Sequence, residues 1–240
     1  MINPDSLEYV LKRSNRKTIG LKITEEGLQV TAPLWATNDQ VKHAISARSA
    51  WILSKLKLWQ LRTENRNKAS EIWLSKRQIP YLGVYITVVS TGLSNNVVYH
   101  GNSVSPSAYD VLQVPEVSYT CAYQTKEYAK QWLKERALQL FDKRIQHFSS
   151  IAGVSPTSWG LSSASTTWGS CNSKKRILIN WRLIHLEPRL IDYVIAHEIS
   201  HLKQMNHSQL FWAHVKELMP DFAQARHDIR KHRPGSLPLV

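Results

Sequence analysis

The chain has 240 residues, 42% of them apolar, and 31 Lys and Arg stand against 18 Asp and Glu, a formal net charge of +13. That apolar content builds a real core, in one large domain or two small ones, and excludes a disordered or fibrous protein. Two cysteines, Cys121 and Cys171, exclude a disulfide framework, and no apolar run reaches the roughly 18 residues of a membrane span. The polar start Met1-Ile2-Asn3-Pro4-Asp5-Ser6 is unlike a signal peptide, so a cytoplasmic protein with no membrane partner is expected. The positive charge is spread along the chain, with groupings at Arg13/Arg16/Lys17, Lys174/Lys175/Arg176 and Arg226/Arg230/Lys231/Arg233. A surface that basic attracts nucleic acid or acidic partners whatever the fold.

Residues 7–31 alternate as a hairpin does: Ile19, Leu21 and Ile23 run to a turn at Glu25-Glu26-Gly27, and Leu28 and Val30 return. Pro33 ends the hairpin, and Asn38 reads as the cap of a helix that Val41, Ile45, Ile52, Leu53 and Leu56 carry to about Asn65. After a polar link over 66–76, short strands are predicted over 79–89, 96–99 and 110–114, punctuated by Gly83, Gly92, Gly101 and Pro106. A long helix follows from about Thr125 to Ser150, with Trp132, Leu133, Ala137, Phe141, Ile145 and Phe148 at helical spacing. These elements place a boundary near residue 118, between a β-rich region with one helix (1–118) and a second domain (119–240). Three strands are then expected over 158–161, 165–170 and 176–181, the last two joined through Asn172-Ser173-Lys174.

The chemistry concentrates in the next stretch. Leu186-Glu187-Pro188 starts a helix whose apolar face is Ile191, Val194, Ile195, Ile199 and Leu202. Its flank carries His197-Glu198-Ile199-Ser200-His201, an H-E-x-x-H pattern. Positions i and i+4 lie on one face, so the two imidazoles converge on one point, as zinc binding requires. Glu198, about 100° round the axis, stands beside the metal as a base for an attacking water. A catalytic zinc takes three protein ligands and keeps its fourth position open. His207, on a turn before a second helix capped by Ser208, is the candidate third ligand; His214 and Glu217 compete for that role. Cys171 lacks an adjacent base and reads as a half-buried turn residue rather than a nucleophile.

Several segments together resemble the YgjP-like family of predicted zinc metallopeptidases, which belong to the zincins. They are Trp168-Gly169-Ser170-Cys171, Ile179-Asn180-Trp181-Arg182-Leu183, Asp192-Tyr193-Val194, the H-E-x-x-H itself, Asn206-His207-Ser208 with Phe211-Trp212, and Pro220-Asp221-Phe222. Arg16-Lys17 and Tyr81-Leu82-Gly83 extend the resemblance over nearly the whole chain. It implies an α+β fold with a zincin-like catalytic domain, His197, His201 and His207 as ligands of one Zn2+ per chain, and Glu198 as general base. Thr167 departs from the family, whose members usually carry arginine there, which leaves any substrate role of that position open. A more distant likeness is to the SprT-like proteases that act on proteins crosslinked to DNA.

The expected function is zinc-dependent hydrolysis of peptide bonds in a peptide or protein substrate, with protease action on DNA-associated proteins as one form of it. The alternative is a zinc-dependent nuclease acting on RNA, since the YbeY family of RNA-processing enzymes uses a similar three-histidine spacing on a basic fold. YbeY-type enzymes look different where Glu198 stands. The glutamate therefore favours peptide chemistry, and the charge favours RNA. A non-enzymatic nucleic-acid binder with structural zinc is disfavoured, because such sites usually have four protein ligands.

Overall fold

A computed structural model describes residues 7–24, 27–91, 96–115 and 122–237 of the chain, and these described residues form an α+β fold with three small sheets. Glu25 and Glu26 of the expected turn, Gly92, Cys121 and the expected boundary near residue 118 lie outside those residues. By packing, the chain divides into two compact units, Met1–Glu64 and Asn65–Val240. Among the described residues no helix is long and apolar enough to cross a membrane.

In the first unit, β2 (Gly20–Thr24) and β3 (Gly27–Pro33) form the expected antiparallel hairpin, and β1 (Tyr9–Ser14) adds in parallel on the other side of β3. As the central strand, β3 buries alternate residues, Leu28, Val30 and Ala32. Val41 and Ile45 of α1 (Asn38–Ser46) and Ile52 of α2 (Ser49–Lys76) complete this core. The single helix expected from Asn38 is thus two, and its cap is Thr37. Thr37 Oγ1 accepts from Gln40 N–H at 3.2 Å while Thr37 N–H donates to the Gln40 side chain at 2.9 Å, a capping box that Asn38 has no means to make. The link expected over 66–76 is helical. Its polarity is that of an exposed helix, and no glycine or proline interrupts Ser49–Lys76.

The second unit holds the other two sheets. In the first of these, β4 (Gln78–Tyr81), β5 (Val84–Thr91), β6 (Val98–His100) and β7 (Val111–Pro115) take the order β4-β5-β7-β6. Leu82 and Gly83, with φ of 50° and 85°, make the two-residue turn between β4 and β5. Two positive φ values match the right-handed twist of a hairpin and favour glycine at the second position. The hairpin tip is tied to a 3-10 turn, Trp181–His185: Leu82 N–H donates to Ile184 O and Gly83 N–H to His185 O. His185, fully buried, donates from Nδ1 to Pro80 O at 2.7 Å, and burial pushes it down to about 4, so it stays neutral.

Helix α3 (Ala122–Ala152) packs along α4 (Pro188–Ser200), with Arg144 in a bidentate pair to Asp192 at 2.6 and 3.0 Å. The third sheet has the order β8-β10-β9, from β8 (Ser158–Ser162), β9 (Gly169–Cys171) and β10 (Arg176–Asn180). Strand β9 is shorter than expected and β10 stops before Trp181, and buried Asn180 is the reason for both. Its amide donates to Ala164 O and Thr167 O, holding the approach to β9 in a loop, and its oxygen accepts from Arg182 N–H to start the 3-10 turn. One core joins Ile79, Ile86 and Leu112 of the middle sheet with Leu133, Ile179, Ile195 and Phe211. Strands expected to belong to a separate region therefore pack into the same core as the H-E-x-x-H helix.

Candidate metal centre

Helix α4 starts as its sequence dictates, with Glu187 at the cap and Pro188 in the first turn, where a missing N–H costs nothing. Ile191, Val194, Ile195 and Ile199 are buried and fix the rotation of the helix, which sends His197 and His201 off one flank. The chain then turns back. Asn206 Oδ1 accepts from Ser208 N–H at 3.3 Å and from the Gln204 amide at 2.7 Å, and Ser208 caps α5 (Gln209–Leu218). This turn brings the His207 ring to face α4.

The result is a cluster in which one ring nitrogen from each of His197, His201 and His207 lies within 4.8 Å of the others. His207 Nε2 is 3.1 Å from His197 Nε2. Nitrogens around a tetrahedral ion at ~2.0–2.1 Å stand about 3.3 Å apart, so this spacing suits a shared cation. His201 Nδ1 points at Gln204 O, 3.1 Å away. A carbonyl only accepts, so that nitrogen carries the proton and Nε2 keeps its lone pair for a metal. Burial, then His201, His207 and Arg226, push His197 down to about 3, and burial likewise lowers His201. Both are held neutral, the state that binds metal. Three imidazoles suit a transition-metal cation better than the hard cations that prefer oxygen.

Phe211 is fully buried against all three rings, at centroid distances of 4.9, 4.5 and 4.7 Å from His197, His201 and His207. Phe211→Ala is expected to cost about 3–5 kcal/mol of unfolding free energy in metal-free protein. Urea denaturation measures it, and a loss under ~1 kcal/mol would mean that the ring is not the floor of this cluster.

Glu198 is 5% exposed, and its Oε2 has no hydrogen-bond partner among the described residues. Burial raises its carboxyl from 4.5 to about 8. A cation among the imidazoles favours the ionised form and opposes that rise. In metal-free protein the sign is clear: a raised carboxyl contributes stability below pH 4.5 that is lost as pH climbs towards 8. Relative to Glu198→Gln, which does not titrate, the metal-free wild type should lose about 3 kcal/mol between pH 4.5 and 7. Denaturation curves of both proteins across that window test this, and a constant difference would count against it.

The carboxylate also lies flush against β9, one of the two edge strands of its sheet: a Cβ on Gly169 would stand 2.5 Å from Glu198 Oε1. Gly169, part of the Trp168-Gly169-Ser170-Cys171 motif, lets the strand approach the glutamate, a role that no local sequence signal marks. The competitors for the third histidine are elsewhere. His214 pairs with Glu217 at 3.3 Å, and neither is in the cluster. Cys171 is half-buried, its thiol raised by burial and by Glu198, which suits no nucleophile.

Residues 17–232 match the family described as YgjP-like, metallopeptidase domain. None of the curated proteins matches the chain. Among solved structures, the metallopeptidase zymogen of Pyrococcus abyssi abylysin is similar over 37% of this chain and 90% of its own, at 20% identity. Its TM-score of 0.35 is too low for that likeness to carry an argument.

Proposed function

Because the chain belongs to the YgjP-like metallopeptidase family and is a metal-dependent hydrolase of that kind, we propose that it is a zinc peptidase with His197, His201 and His207 as ligands and Glu198 as general base. The observation that carries this reading is the position of Glu198, a buried carboxylate one residue from a histidine of the cluster and in contact with the edge of β9. Zinc in such a site supplies a Lewis acid for the carbonyl and a water acidic enough to react near neutral pH. The residues of the chain do the rest. An extended peptide adds to β9 by main-chain hydrogen bonds, which lays the scissile bond beside Glu198. Glu198 accepts a proton from the attacking water and returns it to the leaving amine. Gly169 and the buried surroundings of the carboxylate leave it little room to move between the two steps.

The substrate is a peptide or protein in the cytoplasm, and the +13 charge supports substrates bound to nucleic acid. The same charge favours the second reading, an RNA nuclease using the same three histidines. One experiment separates them. Unfolded casein, a random peptide library and structured RNA are incubated with zinc-loaded protein, with and without chelator. Peptide cleavage that the chelator stops and zinc restores is expected. RNA cleavage that is lost in His197→Ala, with all peptides intact, would reverse the choice.

A further inference from the structure

A cleft of about 470 Å³ opens beside the metal centre, with His197 and His207 on one wall and Trp212, Arg226, Ile229 and Arg230 on another. Among the described residues, no aspartate or glutamate lines it. Arg226 and Arg230 are one turn apart on and just after α6 (Phe222–Ile229), so both face the same way. The nearest acid of that helix, Asp228, is already held by Arg189 at 2.8 Å and Lys231 at 2.7 Å. Those two cations and Gln224 keep it well below the usual carboxylate range. It does not neutralise the cleft.

Arg226 is half-buried, and its guanidinium carbon lies 3.9 Å over the Trp212 ring. Trp212 is itself stacked against Phe222 and His207, at centroid distances of 5.7 Å for each. Contact at that distance holds the guanidinium against the ring face. Stacking uses the face of that group and leaves its in-plane N–H fork for a ligand. Among the described residues, no hydrogen bond or ion pair engages the Arg226 side chain. A planar donor fork, stacked, in an acid-free cleft that touches two of the three histidines, is matched by a carboxylate, which binds such a fork through two parallel hydrogen bonds.

We infer that this cleft is a substrate subsite for a peptide carboxylate, gripped by Arg226 with Arg230 adding charge, so that the enzyme favours a bond close to an acidic residue or to a free carboxyl terminus. The inference rests on the peptidase reading, and its test keeps the two apart. The cleft is too small and too close to the metal for a folded partner. A side chain or a chain end enters it while the flanking backbone lies along β9.

The test uses zinc-loaded full chain and octapeptides that differ at one position, Glu against Gln, scanned across the sequence, each with a free or amidated carboxyl terminus. At the preferred position kcat/KM is expected to be about tenfold or more higher for Glu than for Gln, or for the free terminus than for the amide, corresponding to at least ~1.4 kcal/mol. The two arms identify which carboxylate is read. In Arg226→Gln the ratio should fall to near one, and in Arg226→Lys, which keeps charge but not the fork, to an intermediate value. Binding is measured separately, by fluorescence anisotropy of labelled peptides on Glu198→Gln and on Glu198→Gln/Arg226→Gln, where the same preference should appear and then vanish. A ratio of one in wild type, or a ratio untouched by Arg226→Gln, overturns the inference. So does tight binding of an oligonucleotide that needs Arg226 when peptides show no preference. If no peptide is cleaved, the peptidase reading fails, and the anisotropy pair still decides the carboxylate site.

Discussion

Glu198→Gln is expected to keep its zinc and lose turnover by about 10²- to 10⁴-fold, the usual contribution of a general base. Glutamine has the same shape, so Gly169 still accommodates it and the buried position gains no cavity. What disappears is the ability to accept a proton. The barrier should rise by about 3–5 kcal/mol with little change in KM, because the lost interaction belongs to the transition state. In metal-free protein the stability of Glu198→Gln relative to wild type should at the same time rise by about 3 kcal/mol from pH 4.5 to 7, because only the unfolded wild type gains by ionising. Lower activity with a relative stability that grows with pH is the signature of a residue kept for chemistry rather than for folding. Zinc content by mass spectrometry and kcat on any peptide that wild type cleaves are the two measurements. Wild-type turnover in the variant would sink the mechanism.

The features legible in the sequence were those with a short-range physical cause. The apolar period of α4, Pro188 at its start, Ser208 as the cap of α5 and the i, i+4 histidines are all local, and each is where spacing put it. The hairpin β2–β3 follows from alternation alone. What escaped depended on partners distant in the chain. Strand β1 is an edge whose parallel partner β3 is some 20 residues on, and nothing within 9–14 signals that pairing. The helix through 66–76 reads as a link because exposed helices and links share a polar composition, and only the absence of glycine and proline separates them. Thr37 was hidden behind a better-known capping residue next to it, although Thr37-Asn38-Asp39-Gln40 carries the capping-box spacing. In the site, the histidines and Glu198 announce themselves through one another. Gly169 and Arg226 do not, because each acquires its meaning only from a side chain on another element, Glu198 for the one and Trp212 for the other.

His207→Ala is expected to abolish stoichiometric zinc, with wild type holding one ion per chain and the variant losing at least about 100-fold in affinity, more than the loss of a group that only orients a ligand usually costs. His197 and His201 come from one helix and converge whether or not metal is present. His207 reaches them only because the Asn206 and Ser208 turn reverses the chain, so its contribution tests the tertiary site rather than the motif. Asn206→Ala should accordingly weaken zinc by a smaller factor, about 10-fold, by loosening that turn without removing a ligand. Fold should survive in both variants, since His207 and Asn206 are exposed and Phe211 still covers the rings of His197 and His201. A graded series, wild type above Asn206→Ala above His207→Ala, is what a three-histidine site predicts. Undiminished zinc in His207→Ala would mean that the metal sits on the helix pair with another ligand, and would return His214 and Glu217 to contention. No zinc in wild type, even after it is supplied, would remove the metal reading and leave the basic surface as the guide to function.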